Sequence, residues 1–124
     1  FKRGQIPFQY MSEFPADPVL IRYASEACAR LFGGRCKQGK VLSGDQFVAD
    51  RAMVRELHEE LGGDCTEMEG AAVAQVCAMH RKPFVIIRSM SDKADGSAPA
   101  NFTEFTKEAA DRSCMIVKEM LQRL

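Results

Sequence analysis

A chain of 124 residues, 46% hydrophobic and 27% charged, has the composition of one globular domain with a modest core. Its 17 basic and 17 acidic residues cancel, so no basic stripe offers nucleic acid an electrostatic footprint. No apolar run reaches the roughly 20 residues that span a bilayer, and no membrane role is expected.

The opening stretch, FKRGQIPFQYMSEF, lacks the long apolar core of a signal peptide. It also lacks an initiator Met and reads as an internal segment of something longer. Residues 1–14 are expected to form an irregular or extended arm, being rich in Phe, Tyr and Pro. ADPVLIRYASEACARLFGG predicts a helix. Asp17 can cap it, Pro18 suits its first position, and Gly33 or Gly34 can end it. Leu20, Ile21, Ala24, Cys28 and Leu31 make its apolar face.

RCKQGKVLSG follows as a strand. DQFVADRAMVRELHEEL starts as a loop and turns helical from about Asp50, and Gly62 and Gly63 stop it. DCTEM reads as a short strand and GAAVAQVCAMH as a helix packed through small residues. In PFVIIRSM, the continuous run Phe84-Val85-Ile86-Ile87 predicts a central strand covered on both faces. SDKADGSAPA is a loop. Asn101 with Glu104 resembles a capping box, opening a last helix toward Leu121 with Phe102, Phe105, Ala109, Ile116 and Met120 near one face. Alternating strands and helices predict an α/β sandwich with largely parallel strands.

The five cysteines, Cys28, Cys36, Cys65, Cys77 and Cys114, include no CxxC pair. Cys28, Cys77 and Cys114 fall in helical patterns and read as small buried hydrophobes in a reducing, cytoplasmic compartment. His58 and His80 lack paired ligand spacing, so no zinc site is expected, and nothing calls for a cofactor.

In open α/β sheets ligands sit beyond the carboxyl ends of the strands. Three polar clusters fall at such ends: SGDQF, EMEG and SMSDKAD. Glu69 either starts a helix, where the dipole favours a carboxylate, or accepts hydrogen bonds from two adjacent hydroxyls such as a ribose 2′,3′-diol. In the second reading Gly70, Ala71 and Ala72 let the helix sit close to the sheet and leave room for the sugar. Asp92, just past a buried strand, either makes an Asx-turn or holds a proton near neutrality through a raised pKa. Asp95 fits the turn reading better. Phe47, in a loop at a strand end, is either core or a platform that stacks on a flat heterocycle.

Together SGDQFV, EMEGAAVAQVC and VIIRSMSDKAD, followed by FTEFTKEAADRSCMIVKEML, resemble the nucleoside phosphorylase/hydrolase superfamily. The 5′-methylthioadenosine/S-adenosylhomocysteine nucleosidases are the nearer match, over almost the whole chain. The resemblance implies a three-layer α/β sandwich with a mainly parallel central sheet, of which these residues form the C-terminal portion as a single domain. It implies that Phe47 stacks on adenine, the Val48 backbone pairs with the purine edge, Met68 packs under the ribose and Glu69 binds its hydroxyls. Asp92, oriented by Ser91, would be the catalytic acid at purine N7, and Glu67 a supporting or structural carboxylate.

The family's water-activating glutamate lies in an N-terminal half that this sequence does not contain. The isolated chain is therefore expected to be inactive. The resemblance also implies a homodimer, with the residue 1–14 arm near the contact. A purine nucleoside phosphorylase and a non-catalytic nucleoside-binding module stand as alternatives. Methylthioadenosine, S-adenosylhomocysteine, deoxyadenosine and futalosine all remain open as substrates.

Overall fold

The computed structural model of the chain describes residues 1–90 and 102–124, with the backbone alone described at 102–104. Among the described residues four helices and two strands follow in order: α1 (Pro18–Phe32), β1 (Val41–Ser43), α2 (Arg51–Leu61), β2 (Cys65–Glu67), α3 (Gly70–Met79) and α4 (Phe102–Leu121).

Their ends follow local chemistry. The Asp17 carboxylate accepts from the Leu20 N–H at 3.0 Å, and Pro18 opens α1. The Asp50 carboxylate does the same for α2, accepting from Ala52 N–H at 2.9 Å. Gly33 and Gly62 close the two helices in the left-handed region, at φ 64° and 69°, where a side chain would clash with its own backbone.

β1 and β2 pair in parallel, with Val41 opposite Cys65, Leu42 opposite Thr66 and Ser43 opposite Glu67. Helix α2 is the crossover between them, as parallel strands require. Both carboxyl ends therefore lie at one edge of the sheet, and α3 leaves from that edge and packs on β1. The hydrophobic core lies between α1 and α4, where Ala27, Cys28, Ile116 and Met120 are buried with Leu20, Tyr23, Ala24, Phe32, Val85 and Ile87 against them. Arg30 of α1 pairs with Glu119 of α4 at 2.5 Å, and Arg123, just past the end of α4, pairs with Glu26 of α1. The arm of residues 1–14 is irregular, with turns at Arg3–Gly4 and Pro7–Phe8. Arg3 ties it to α2 through Glu56 and, at 3.0 Å, Glu60.

Three expectations need correction. PFVIIRSM carries no ladder among the described residues. A strand is a property of a pair of segments, whereas this one packs Val85 and Ile87 onto the α1–α4 core and lends the Phe84 carbonyl to the Asp17 N–H at 2.8 Å. Residues 84–87 are half-buried rather than covered on both faces. The first strand is also shorter than RCKQGKVLSG, because it extends only as far as its partner does. SDKADGSAPA, the Asn101–Glu104 cap and the Phe102 side chain lie outside the described residues.

The third correction concerns the thiols. Cys28 is buried, as expected, but it is bonded to Cys36, with their Cα atoms 6.2 Å apart. The turn at Gly33–Gly34 folds the chain back on α1 and brings Cys36 within disulfide reach; an odd count of cysteines says nothing of such proximity. Cys77 is half-buried and Cys114 exposed, so neither is a core residue here. Alkylation of the purified, air-oxidised protein in denaturant without reductant should label three thiols, Cys65, Cys77 and Cys114, and all five once reductant is added. Cys36→Ser should cost about 2–3 kcal/mol, the loop-closure value for so short a loop, read as a lower unfolding midpoint. Five thiols labelled without reductant would remove the bond from the solution state.

Candidate functional site

The C-terminal edge of the β1–β2 sheet gathers the polar residues. Ser43 ends β1 and Glu67 ends β2, and register sets them side by side. The Ser43 hydroxyl donates to Glu67 Oε1. The Glu67 carboxylate also accepts from the Gly70 N–H, at 2.8 and 2.7 Å to its two oxygens, and from the Glu69 N–H at 3.3 Å. Ser43 Oγ in turn accepts from the Ala71 N–H at 2.8 Å. Three consecutive donors at the start of α3 are thus satisfied by two side chains from the strands. Helix N-termini readily cradle phosphate, but this one has its leading donors already engaged.

Glu67 is the cap of α3, acting from two residues before the N-cap position. Its side chain is 3% exposed. Burial pushes its pKa up, but the hydrogen bonds from Ser43, the Gly70 N–H and the Glu69 N–H, with the nearby Arg88 charge, outweigh this and hold it below its usual 4.5. Gly70 is buried for a related reason. A Cβ there would stand 2.9 and 3.0 Å from the Glu67 oxygens. The missing Cβ at Gly70 thus lets the Glu67 carboxylate approach the start of α3, and Ala71 and Ala72 are exposed.

Glu69 occupies the N-cap position of α3, yet its side chain makes no cap hydrogen bond. It is 68% exposed and lies 3.7 Å from Arg88 Nη2, while Arg88 Nη1 lies 3.8 Å from Glu67. The two glutamates of EMEG therefore differ completely in environment. One is buried and fully bonded, and the other is presented to solvent beside a shared guanidinium. Met68, between them, is 46% exposed. Phe47 is 73% exposed on the loop after β1, and Val48 beside it is half-buried. Ser91, Asp92 and Asp95 lie outside the described residues. Among the described residues no group of His, Cys, Asp and Glu could hold a metal ion.

Two residues of this network were not singled out in the sequence. Arg88 is the first charge after the apolar run of residues 84–87, a position that could have drawn attention to it. Ser43 shows its role only once the register is known.

Residues 1–122 match the Phosphorylase superfamily. The chain belongs to this family. The 5′-methylthioadenosine/S-adenosylhomocysteine nucleosidase of Halalkalibacterium halodurans is 40% identical over 125 aligned residues, covering 100% of this chain and 53% of the relative. The crystal structure of the Neisseria meningitidis nucleosidase, in complex with methylthio-immucillin-A, is 39% identical with a TM-score of 0.87, over 100% of this chain and 54% of that one. Futalosine hydrolase of Helicobacter pylori is 34% identical with a TM-score of 0.85, over 98% and 51%. The chain spans about half the length of the curated relatives it matches. The fold is accordingly part of a nucleoside phosphorylase-type α/β fold built on a parallel sheet.

Proposed function

We propose that the full-length protein hydrolyses the N-glycosidic bond of 5′-methylthioadenosine and S-adenosylhomocysteine, releasing adenine in methionine salvage. The observation that carries this reading is the split between the two glutamates. Glu67 satisfies the start of α3, which leaves the Glu69 carboxylate exposed at the sheet edge beside Arg88, without a cap bond to compete with a diol. The nucleosidase relatives support it.

In this reading Phe47 stacks on adenine, the Val48 backbone pairs with its edge, Met68 packs under the ribose and Glu69 accepts from the 2′- and 3′-hydroxyls. Asp92, oriented by Ser91, gives its proton to purine N7. The C1′–N9 bond breaks with its electron pair going to the base, so adenine leaves neutral. Water adds at C1′ and loses a proton to a glutamate outside these 124 residues. A positioned acid contributes typically ~10²–10⁴-fold.

Full-length protein in phosphate-free buffer should release adenine from methylthioadenosine, read by chromatography of the base. A strict phosphate requirement would make it a phosphorylase. Tight adenine binding without release would make it a binding module. The engaged N-terminus of α3 favours hydrolysis, since that helix end is not an open phosphate cradle. The futalosine hydrolase likeness supports a second substrate reading, and faster release from futalosine than from methylthioadenosine would select it.

The intact protein is proposed to be a cytoplasmic homodimer with the arm at or near the contact. The arm's exposed apolar residues support this, Phe1, Phe8, Tyr10 and Met11 together, since apolar surface gathered on one segment marks an interaction site. Sedimentation of the full-length protein as a monomer at micromolar concentration would refute the dimer. Five free thiols in protein taken from its native source would accord with the cytoplasm, and an intact Cys28–Cys36 bond there would argue against it.

A further inference from the structure

Glu69 has no cap bond, is exposed, and sits on a two-residue link between the end of β2 and the start of α3. Its direction is set by whatever fixes that link. We propose that Glu67 and Ser43 are the positioning residues for Glu69: the buried Ser43–Glu67 pair clamps the Glu69, Gly70 and Ala71 N–H groups and so aims the Glu69 carboxylate at a vicinal diol. This rests on the reading of Glu69 as the ribose ligand.

The geometry supports a clamp rather than a simple cap. An ordinary cap bonds a helix to its own preceding residue. Here β1, through Ser43, holds both the cap and the helix, so the link is tied to two strands at once. The Ser43 hydroxyl donates to Glu67 and accepts from Ala71, which leaves neither end of the pair free to rotate. Gly70 lets the carboxylate approach the α3 backbone closely enough to bond both its oxygens. Arg88 lies beside both glutamates, 3.8 Å from Glu67 and 3.7 Å from Glu69, and so spans the link from its far side.

An amide in place of the Glu67 carboxylate keeps one acceptor oxygen and adds donors. It cannot accept from Ser43 and the two N–H groups together, and its own N–H₂ would face the Gly70 N–H. The clamp should loosen while the Glu69 side chain stays intact.

The experiment uses full-length protein and a C-nucleoside analogue of methylthioadenosine, whose carbon–carbon glycosidic bond cannot be hydrolysed, with and without its 2′- and 3′-hydroxyls. Calorimetry gives Kd for each, and the ratio of the two measures how well the diol is read. For the unaltered protein the hydroxylated analogue should bind on the order of 10²-fold tighter, as expected of hydrogen bonds to a charged group. In Glu67→Gln and in Ser43→Ala that ratio should fall by roughly 10-fold, toward the value of Glu69→Gln. Ser43→Thr keeps the hydroxyl and should keep most of the ratio, which separates clamping from loss of fold. An unchanged ratio in both Glu67→Gln and Ser43→Ala would overturn the proposal. So would a ratio near one in the unaltered protein, since Glu69 would then read no diol. Adenine release in the unaltered protein with unchanged variant ratios removes the clamp alone. A high ratio in the unaltered protein that falls in both variants, without adenine release, removes the hydrolase reading and keeps the clamp.

Discussion

Asp92→Asn in the full-length protein should lower kcat on methylthioadenosine at least ~10²-fold, the low end of general acid catalysis, with a much smaller change in KM. Asparagine keeps the shape and one hydrogen bond to N7 but has no proton to transfer. The proton on N7 matters most as the C1′–N9 bond stretches and charge builds on the base. Its loss therefore falls on the transition state rather than on ground-state binding. A nitrophenyl riboside supplies a control from leaving-group chemistry. Nitrophenolate departs without being protonated, so Asp92→Asn should recover much of its rate on that substrate. Near-normal kcat on methylthioadenosine would reduce Asp92 to a turn residue and send the search for the acid elsewhere. Asp95, three residues on in the same cluster, is the first alternative to test.

Local chemistry was legible in the sequence wherever a single residue decides the outcome. Asp17, Pro18 and Gly33 bound α1, and Asp50 and Gly62 bound α2, because caps and left-handed turns depend on residue type at one position. What depends on a partner was not legible. The apolar run at 84–87 promised a central strand, yet a strand needs a neighbour, and the segment serves the helical core instead. Cys28 looked like a core residue, which it is. Its bond to Cys36 follows from a chain reversal that spacing alone does not disclose. At the site, the sequence offered Glu69 as a helix starter or a diol acceptor, and gave Glu67 a supporting role only through resemblance. The physical distinction comes from the Ser43–Glu67 register and the N–H groups of α3, which exist only once strand and helix are in place. Arg88 escaped notice for the same reason, since its two carboxylate neighbours lie about twenty residues upstream.

Glu69→Gln should raise KM for methylthioadenosine about 10- to 100-fold and also lower kcat. An ionised carboxylate can accept from both ribose hydroxyls at once, and each hydrogen bond to a charged group is worth about 1.5–3 kcal/mol. Glutamine retains a single acceptor oxygen and turns its donors toward whatever lies on the other side. Those contacts form with bound substrate and persist into the transition state, which is why KM and kcat both respond, unlike the Asp92 case. The nitrophenyl riboside should give no rescue, because it carries the same diol and its easier leaving group does not replace a sugar contact. Stability supplies the internal control. The Glu69 side chain is exposed and makes no cap bond, and Arg88 keeps Glu67 as an ionic neighbour at 3.8 Å. The unfolding midpoint of Glu69→Gln should therefore stay close to that of the unaltered protein, whereas Glu67→Gln should lower it by leaving buried N–H groups unpaired. If KM does not move while the midpoint drops, Glu69 serves the start of α3 and the sugar must be held by another group.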